Sequence, residues 1–509
     1  MRPGPSQRLG KWLVPDLAMV AAAFTLLFAL FLFDGAEKLF RDSDTGWHIR
    51  TGESILAAGV LPESDPYSWT KPGKAWVAWE WGSDVLMGAV HRQDGVTGVA
   101  LLYLVAISAC TWLWFRLHWF AGGNFLIACA MASPMLSTVN IHWLARPHVF
   151  SWIFLLIWIS VAERAPARFL WWHGLAAAAG AAVWANMHAS FFFLPLTCLV
   201  YSAGHLIRNA VWENGAGAPS PAKWFAAIAL PAGVGSFVNP YGWRLHVHLW
   251  EYLRNVELLS RIGEFQSFNF HAEGSTQILL CLALAGFGSV LALSQGKVAQ
   301  FLLMAGLAAT GLRSARGLPL VALLVLPLAN GAITQALRGL HGLRPRVRRR
   351  LDQFLQYSEN LRRLELGFKG YALAPLLVAL VFVVLHAPTM RARTGFPPDQ
   401  FPVKAALAVE RLSPNARILH PDKFGGYLIY RFSGQRKVFF DGRSDLYGLD
   451  FLKSYIRLVQ VRPGWERHFL YYGFTHALLP VDYSLAGVLE ERGWKRVYRD
   501  NTAILLEAP

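Results

Sequence analysis

The apolar run LVPDLAMVAAAFTLLFALFLF at residues 13–33, followed shortly by Arg41-Asp42-Ser43-Asp44, decides how the rest of the chain is read. The run is long enough to cross a bilayer. The next apolar stretch starts only near Val96, so a long polar loop, residues 35–95, separates the two and is crowded with Trp, Asp, Glu and His. A loop of that length without function is uncommon. In an extended segment residues i and i+2 point the same way, so Asp42 and Asp44 can face one ligand. Two chemistries fit. Hard carboxylate oxygens suit Mg²⁺ or Mn²⁺, which could bridge to a diphosphate. Alternatively, one carboxylate is a general base for an acceptor hydroxyl and no metal is needed. The plain structural alternative is a solvated pair balanced by Arg41 and Arg50.

Bulk composition sets the class. Hydrophobic residues make up 54% of the 509 and charged residues only 16%, with a mean hydropathy of +0.33, well off the soluble norm. Several apolar stretches reach spanning length, which predicts a polytopic α-helical membrane protein. Arg2, Arg8 and Lys11 ahead of the first run mimic a signal peptide, but the run is long and lacks a small-x-small cleavage site, so an uncleaved span is expected. Cys110, Cys129, Cys198 and Cys281 all fall in apolar stretches and read as core thiols. The net charge of +16 follows from basic cytoplasmic loops. Its densest tract, Arg338–Lys369, sits between two apolar runs and suits anionic lipid heads. Nucleic acid is a poor partner for it, because the flanks are spans and few aromatics interleave.

Spans are expected near 13–34, 96–115, 122–139, 149–162, 169–186, 190–207, 224–238, 276–294, 298–312, 317–336 and 371–388, about eleven in all. Positive-inside counting places the N-terminus in the cytoplasm and the C-terminus outside. The inner loops are then basic and plain, while the outer loops carry His, Asn, Trp, Arg and acids. A membrane domain of residues 1–389 is thus followed, past Gly395-Phe396-Pro397-Pro398, by an extracytoplasmic α/β domain, 390–509. Its strand candidates are Arg417–Leu419, Lys437–Phe440, Ala477–Leu479, Lys495–Tyr498 and Thr502–Leu506.

Several outer-face residues could carry chemistry. Glu80, in Trp76-Val77-Ala78-Trp79-Glu80-Trp81, is a carboxylate in an aromatic setting, where a raised pKa would suit proton transfer. Arg146, His148, His188, Arg244, Arg313 and Arg316, with His48, supply positive charge or donors for an anionic substrate head. For any single arginine, contact with phospholipid heads is the plainer reading. The histidines show no zinc spacing. Trp47 to Ala58 can form an amphipathic helix on the membrane surface, although ordinary loop packing is the plainer reading for most of these residues. Asp422-Lys423-Phe424-Gly425-Gly426-Tyr427 and Phe440-Asp441-Gly442-Arg443-Ser444-Asp445 read as turns, or as glycines permitting close backbone approach.

The acidic pair Asp42-Ser43-Asp44 in a first external loop resembles the D-x-D-like motif of the GT-C superfamily of integral-membrane glycosyltransferases. Residues 42–53 resemble a group of bacterial GT-C-like membrane proteins, as do Asp65-Pro66-Tyr67-Ser68, Trp79-Glu80-Trp81, Arg146-Pro147-His148 and Asn239-Pro240-Tyr241-Gly242. The plan of many spans and an external C-terminal domain is also similar to oligosaccharyltransferase catalytic subunits, although Asp422–Tyr427 lacks their Trp-Trp-Asp-Tyr-Gly segment. The resemblance implies a GT-C-like fold and transfer of a sugar from a polyprenyl-phosphate or polyprenyl-diphosphate donor to a glycan, lipid or protein acceptor. The place would be the outer face of the bacterial inner membrane. Asp42, Asp44 and Glu80 would be catalytic, Asp42 and Asp44 could hold Mg²⁺ or Mn²⁺, and the basic residues named above would bind the donor. Rival readings are a transporter or flippase of a lipid-linked or anionic solute, which predicts charges at mid-membrane and repeated halves, and a non-catalytic envelope protein.

Overall fold

The structure is a computed structural model describing residues 11–32, 35–212 and 220–509. Arg2, Arg8 and the end of the first apolar run, Phe33-Asp34, lie outside the described residues. The chain begins with α1 (Leu17–Phe31), which Asp16 caps by accepting from Met19 N. After a short 3₁₀ turn comes α2 (Asp44–Ala58). The long α3 (Trp81–Phe120) is broken at Asp94–Gly95, where Gly95 takes φ +60°. Its second half starts where the sequence places the second apolar stretch.

The bundle continues with α4 (Phe125–Asn140), α5 (His148–Ala162), α6 (Trp171–Met187), α7 (Ala189–Val211) and α8 (Ala222–Gly235). A further helix, α9 (Trp243–Arg254), precedes α10 (Ser275–Ser294), α11 (Val298–Arg313) and α12 (Ala315–Arg338). Among the described residues, α3, α7, α10 and α12 are long and apolar enough to cross a membrane. The apolar helices α1, α4, α5, α8, α11 and α14 (Leu373–His386) are shorter. Mid-way along α12, Val321–Val325 widens into a π-turn, and Trp114 Nε1 donates to the Ala322 carbonyl at 3.0 Å. A freed carbonyl in an apolar interior needs such a donor. The basic tract forms α13 (Pro345–Gly367) between α12 and α14, tied to α4 by Ser358 Oγ, which accepts from Phe125 N at 2.8 Å.

The C-terminal region contains α15 (Ala405–Glu410), β1 (Ile418–Leu419), α16 (Asp422–Arg431), α17 (Leu449–Val459) and α18 (Trp465–Tyr472). It ends with β2 (His476–Pro480), α19 (Ser484–Glu491), β3 (Lys495–Arg499) and β4 (Ala503–Glu507). The sheet runs β1-β2-β4-β3, with β1 parallel to β2 and the other pairs antiparallel. The β3–β4 hairpin is closed by Asp500 Oδ1, which accepts from Thr502 N and Ala503 N. Lys437–Phe440, expected as a strand, joins no sheet. It pairs with the first loop instead: Val438 N donates to Tyr67 O, and Trp69 N to Val438 O. Val438, Phe439 and Phe440 are buried in succession, whereas a half-exposed strand would alternate.

Two apolar cores result, one within the bundle and one in the C-terminal region. The second core takes in Trp47, Tyr67 and Trp76 from the first loop, so the loop belongs to both halves. Residues 47–58 form most of α2, which is wedged between α3 and α16. Its N-terminal half, including Trp47, His48 and Ile49, is buried. Glycines allow this. A Cβ on Gly46 would overlap the Gly426 carbonyl, one on Gly426 the Ser43 carbonyl, and one on Gly52 the Asp84 carbonyl. Gly426 thus serves backbone-to-backbone packing of α16 on α2, while Gly425 lets α16 approach the Phe440 carbonyl.

Candidate functional site

Asp42 and Asp44 stand at the start of α2. Asp42 Oδ1 accepts from Asp44 N at 2.9 Å, which turns both carboxylates to one side. There they meet Arg146, carried by the tight loop between α4 and α5. Arg146 Nη1 donates to Asp42 Oδ2 at 2.8 Å and to Glu264 Oε1 at 2.6 Å, and Nη2 lies 3.0 Å from Asp44 Oδ2. Arg316, at the start of α12, places Nε 2.7 Å from Glu264 Oε2. Three carboxylates therefore surround two guanidiniums, joined across the chain from four separate segments.

This cluster forms one wall of a cavity of about 770 Å³ between the loops at the ends of the bundle helices and the C-terminal domain. On the bundle side it is lined by Arg41, Asp42, Asp44, Arg146, Tyr252, Arg261, Glu264 and Arg316. On the domain side it is lined by Asp399, Asp422, Lys423, Gly442, Ser444, Asp482, Asn501 and Thr502. Gly442 is required here, because a Cβ at that position would run into the Asp44 carboxylate.

Electrostatics sets the protonation of the cluster. Burial raises the Asp44 carboxyl, and the adjacent Asp42 charge raises it further. Arg146 opposes both, and the outcome is about 8. Burial would also raise Glu264, but Arg146 and Arg316 outweigh it and hold the carboxyl well below the usual range. Burial disfavours charge on Arg146, yet the surrounding carboxylates more than restore it, so it stays protonated. With a proton on Asp44, two carboxylates face two guanidiniums and the cluster is neutral. A desolvated site favours that state.

A second cluster lies beside the first. Glu80 precedes the first residue of α3, with Oε1 3.2 Å from His188 Nε2 and Oε2 3.7 Å from His48 Nε2. The His48 and Asp84 side chains are 2.6 Å apart through Nδ1 and Oδ1, both fully buried. His188 Nδ1 contacts Ser151 Oγ and Ser190 Oγ. Burial lifts Glu80 to about 7 against the pull of Arg146 and Arg316. Burial, with Arg146 adding to it, drives His48 well below its ordinary value, so it is neutral. Glu80, His48 and His188 are not among the residues that line the cavity.

Of the residues singled out from sequence, Asp42, Asp44, Arg146 and Arg316 converge. His48, Glu80 and His188 form the neighbouring cluster. His148 Nε2 contacts the His142 carbonyl, and its ring sits edge-on to Trp152 at the start of α5. Arg244 on α9 and Arg313 at the end of α11 are exposed and outside the cavity lining. Sequence reasoning missed Glu264, Asp84 and Arg261. Glu264 was visible as an acid opening an outer loop, but nothing local ties it to Arg146, 118 residues away.

Asp441-Gly442-Arg443 proves structural. Arg443 Nε and Nη2 donate to Asp441 at 2.7 Å each, Nη2 also reaches Asp65 at 2.8 Å, and Tyr447 OH donates to Asp441. The guanidinium lies over the rings of Trp76 and Tyr67. This latch joins the first loop to the domain and delivers Gly442 to Asp44.

As for a divalent cation, no group of three or more His, Cys, Asp or Glu side chains is arranged to hold a metal ion among the described residues. Asp42, Asp44 and Glu264 turn to Arg146, which supplies positive charge among them.

No family model matches the chain, and no curated protein matches it. Among solved structures it is similar to the apo oligosaccharyltransferase of Archaeoglobus fulgidus. The TM-score is 0.49 at 10% identity, over 91% of this chain and 69% of that one. A likeness of that size bears on neither family nor activity.

Proposed function

We propose that the chain is a membrane glycosyltransferase that moves a sugar from a polyprenyl-phosphate or polyprenyl-diphosphate donor to an acceptor hydroxyl or amide. The setting proposed is the outer face of the bacterial inner membrane, with a glycan, lipid or protein as acceptor. The observation that carries the reading is one cavity holding both a near-neutral carboxyl, Asp44, and the cations Arg146, Arg261 and Arg316, where the bundle meets the C-terminal domain.

In this reading the carrier phosphate lies against Arg261 and Arg316, and guanidiniums suit it by bidentate contact. The acceptor heteroatom attacks the anomeric carbon as the bond from that carbon to the phosphate oxygen breaks. The phosphate leaves with the electron pair, and the acceptor proton passes to the ionised Asp44 carboxylate. A base whose pKa lies near the working pH suits this task. Asp42 and Arg146 position Asp44, and Glu80 with its histidines is the adjoining proton reservoir.

The test is a transfer assay with purified protein and a panel of polyprenyl-linked sugars. Asp42→Asn and Asp44→Asn should each abolish transfer while the protein still elutes as a folded species. Full activity in both variants would remove the assignment.

A further inference from the structure

We infer that α9 is an in-plane membrane helix, docked by one face on the lipid headgroup–acyl boundary and by the other on the candidate site. In α9, Trp243, Val247 and Trp250 follow spacings of four and three and so share one face. They are 63%, 41% and 67% exposed. The opposite face carries Leu245 and Leu249, both buried, and Tyr252. Tyr252 OH pairs with Ser444 Oγ at 3.0 Å and lines the cavity, while His248 Nε2 sits 3.2 Å from Asp445 Oδ2.

The occupant of the outer face follows from what adjoins it. The apolar helix α8 exposes Leu230 and Val234, and the chain beyond it exposes Phe237 and Val238. This ridge at i, i+4 and i+7/i+8 is what a helix presents to lipid. It runs straight into α9. Asn239-Pro240-Tyr241-Gly242 turns the chain, with Asn239 Oδ1 accepting from Tyr241 N and Gly242 at φ +54°. The first turn of α9 then folds back on the end of α8: the Phe237 and His246 rings stack at 4.2 Å, and Ser236 Oγ lies 2.8 Å from His246 Nε2. The Trp-bearing face therefore starts at the level where the lipid-facing ridge ends. Tryptophan favours that boundary, and Arg244 and Arg254 at the two ends of α9 suit lipid phosphates. The inference uses only the reading of a membrane protein and stands apart from the transfer chemistry. Its consequence is that the cavity wall at Tyr252 is held at headgroup height.

The full chain, reconstituted in nanodiscs of phosphatidylethanolamine and phosphatidylglycerol, tests this with a photo-reactive side chain. Val247→p-benzoylphenylalanine and Trp250→p-benzoylphenylalanine should form phospholipid adducts, read by intact mass, as should the same change at Leu230 in α8. Burial of that face in the headgroup layer sets the expected yield about tenfold above a probe at Glu410 on the C-terminal domain. Yields at the Glu410 level while Leu230 reacts would overturn the proposal, and so would cross-linked protein dimers in place of lipid adducts. Independently of those variants, shallow brominated lipids should quench less of the total Trp emission in the Trp243→Phe/Trp250→Phe protein than in the unaltered chain. Equal quenching would count against the proposal.

Discussion

Asp44 is the residue on which most depends. Its carboxyl is raised in the native state from 3.8 to about 8, so the folded protein holds a proton that the unfolded chain has lost. Stability from this group is therefore highest at low pH and falls as pH rises through that window. Asp44→Asn keeps the shape and removes the titration. It should raise the unfolding temperature at pH 8, with a smaller gain at pH 5, while cutting transfer by about 10²-fold or more, as loss of an acid–base group does. If Asp44 is the base, transfer by the unaltered protein climbs with pH towards about 8. Glu80, held near 7 by burial, should contribute a second inflection that Glu80→Gln removes. An unchanged profile in that variant would separate Glu80 from proton transfer. The sequence offered Asp42, Asp44 and Glu80 as carboxylates near apolar runs. It could not show that Arg146 binds three acids at once, because that contact joins segments far apart in the chain.

At the scale of elements, α2 decides how the two halves meet. Its residues fit loop packing more plainly than a membrane-surface helix, but Trp47, Ile49 and Ile55 are apolar in either case and do not say what they pack on. Gly46, Gly52 and Gly426 settle the matter by letting α2 approach α3 and α16 backbone to backbone. Gly426→Val should weaken the α2–α16 contact by about 1–3 kcal/mol, the usual cost of overpacking, and loosen the domain from the bundle. Limited proteolysis after α14 would report it. Most bundle helices lie where the apolar runs place them, because a long apolar stretch has few other stable states in lipid. The π-turn in α12, the break at Gly95 in α3 and the face presented by α9 depend on neighbours and are not legible from local pattern.

For the whole molecule, the junction of bundle and C-terminal domain rests on the Arg443 latch as well as on apolar contact. Arg443→Met would leave Asp65 and Asp441 buried and unpaired, a loss of about 3–5 kcal/mol for a broken buried pair. It should lower the unfolding temperature and, by releasing Gly442 from Asp44, reduce transfer as well. The double change of Asp65 and Asp441 to Asn in the same background should recover part of the stability. No recovery would show that the latch acts through packing on Trp76 and Tyr67 instead.

Bulk hydropathy and several apolar runs of spanning length determined the class of this protein, since hydrophobic length against bilayer thickness is a one-dimensional property readable in sequence. The aspartates were likewise marked by their place beside the apolar run. What only the tertiary structure decided is their company: Arg146, Glu264 and Arg316 come from other loops, and Gly442 from a domain some 400 residues on. Charge pairing and burial are properties of proximity in space, so the pKa of Asp44 and the shape of its cavity exist only once the chain has folded.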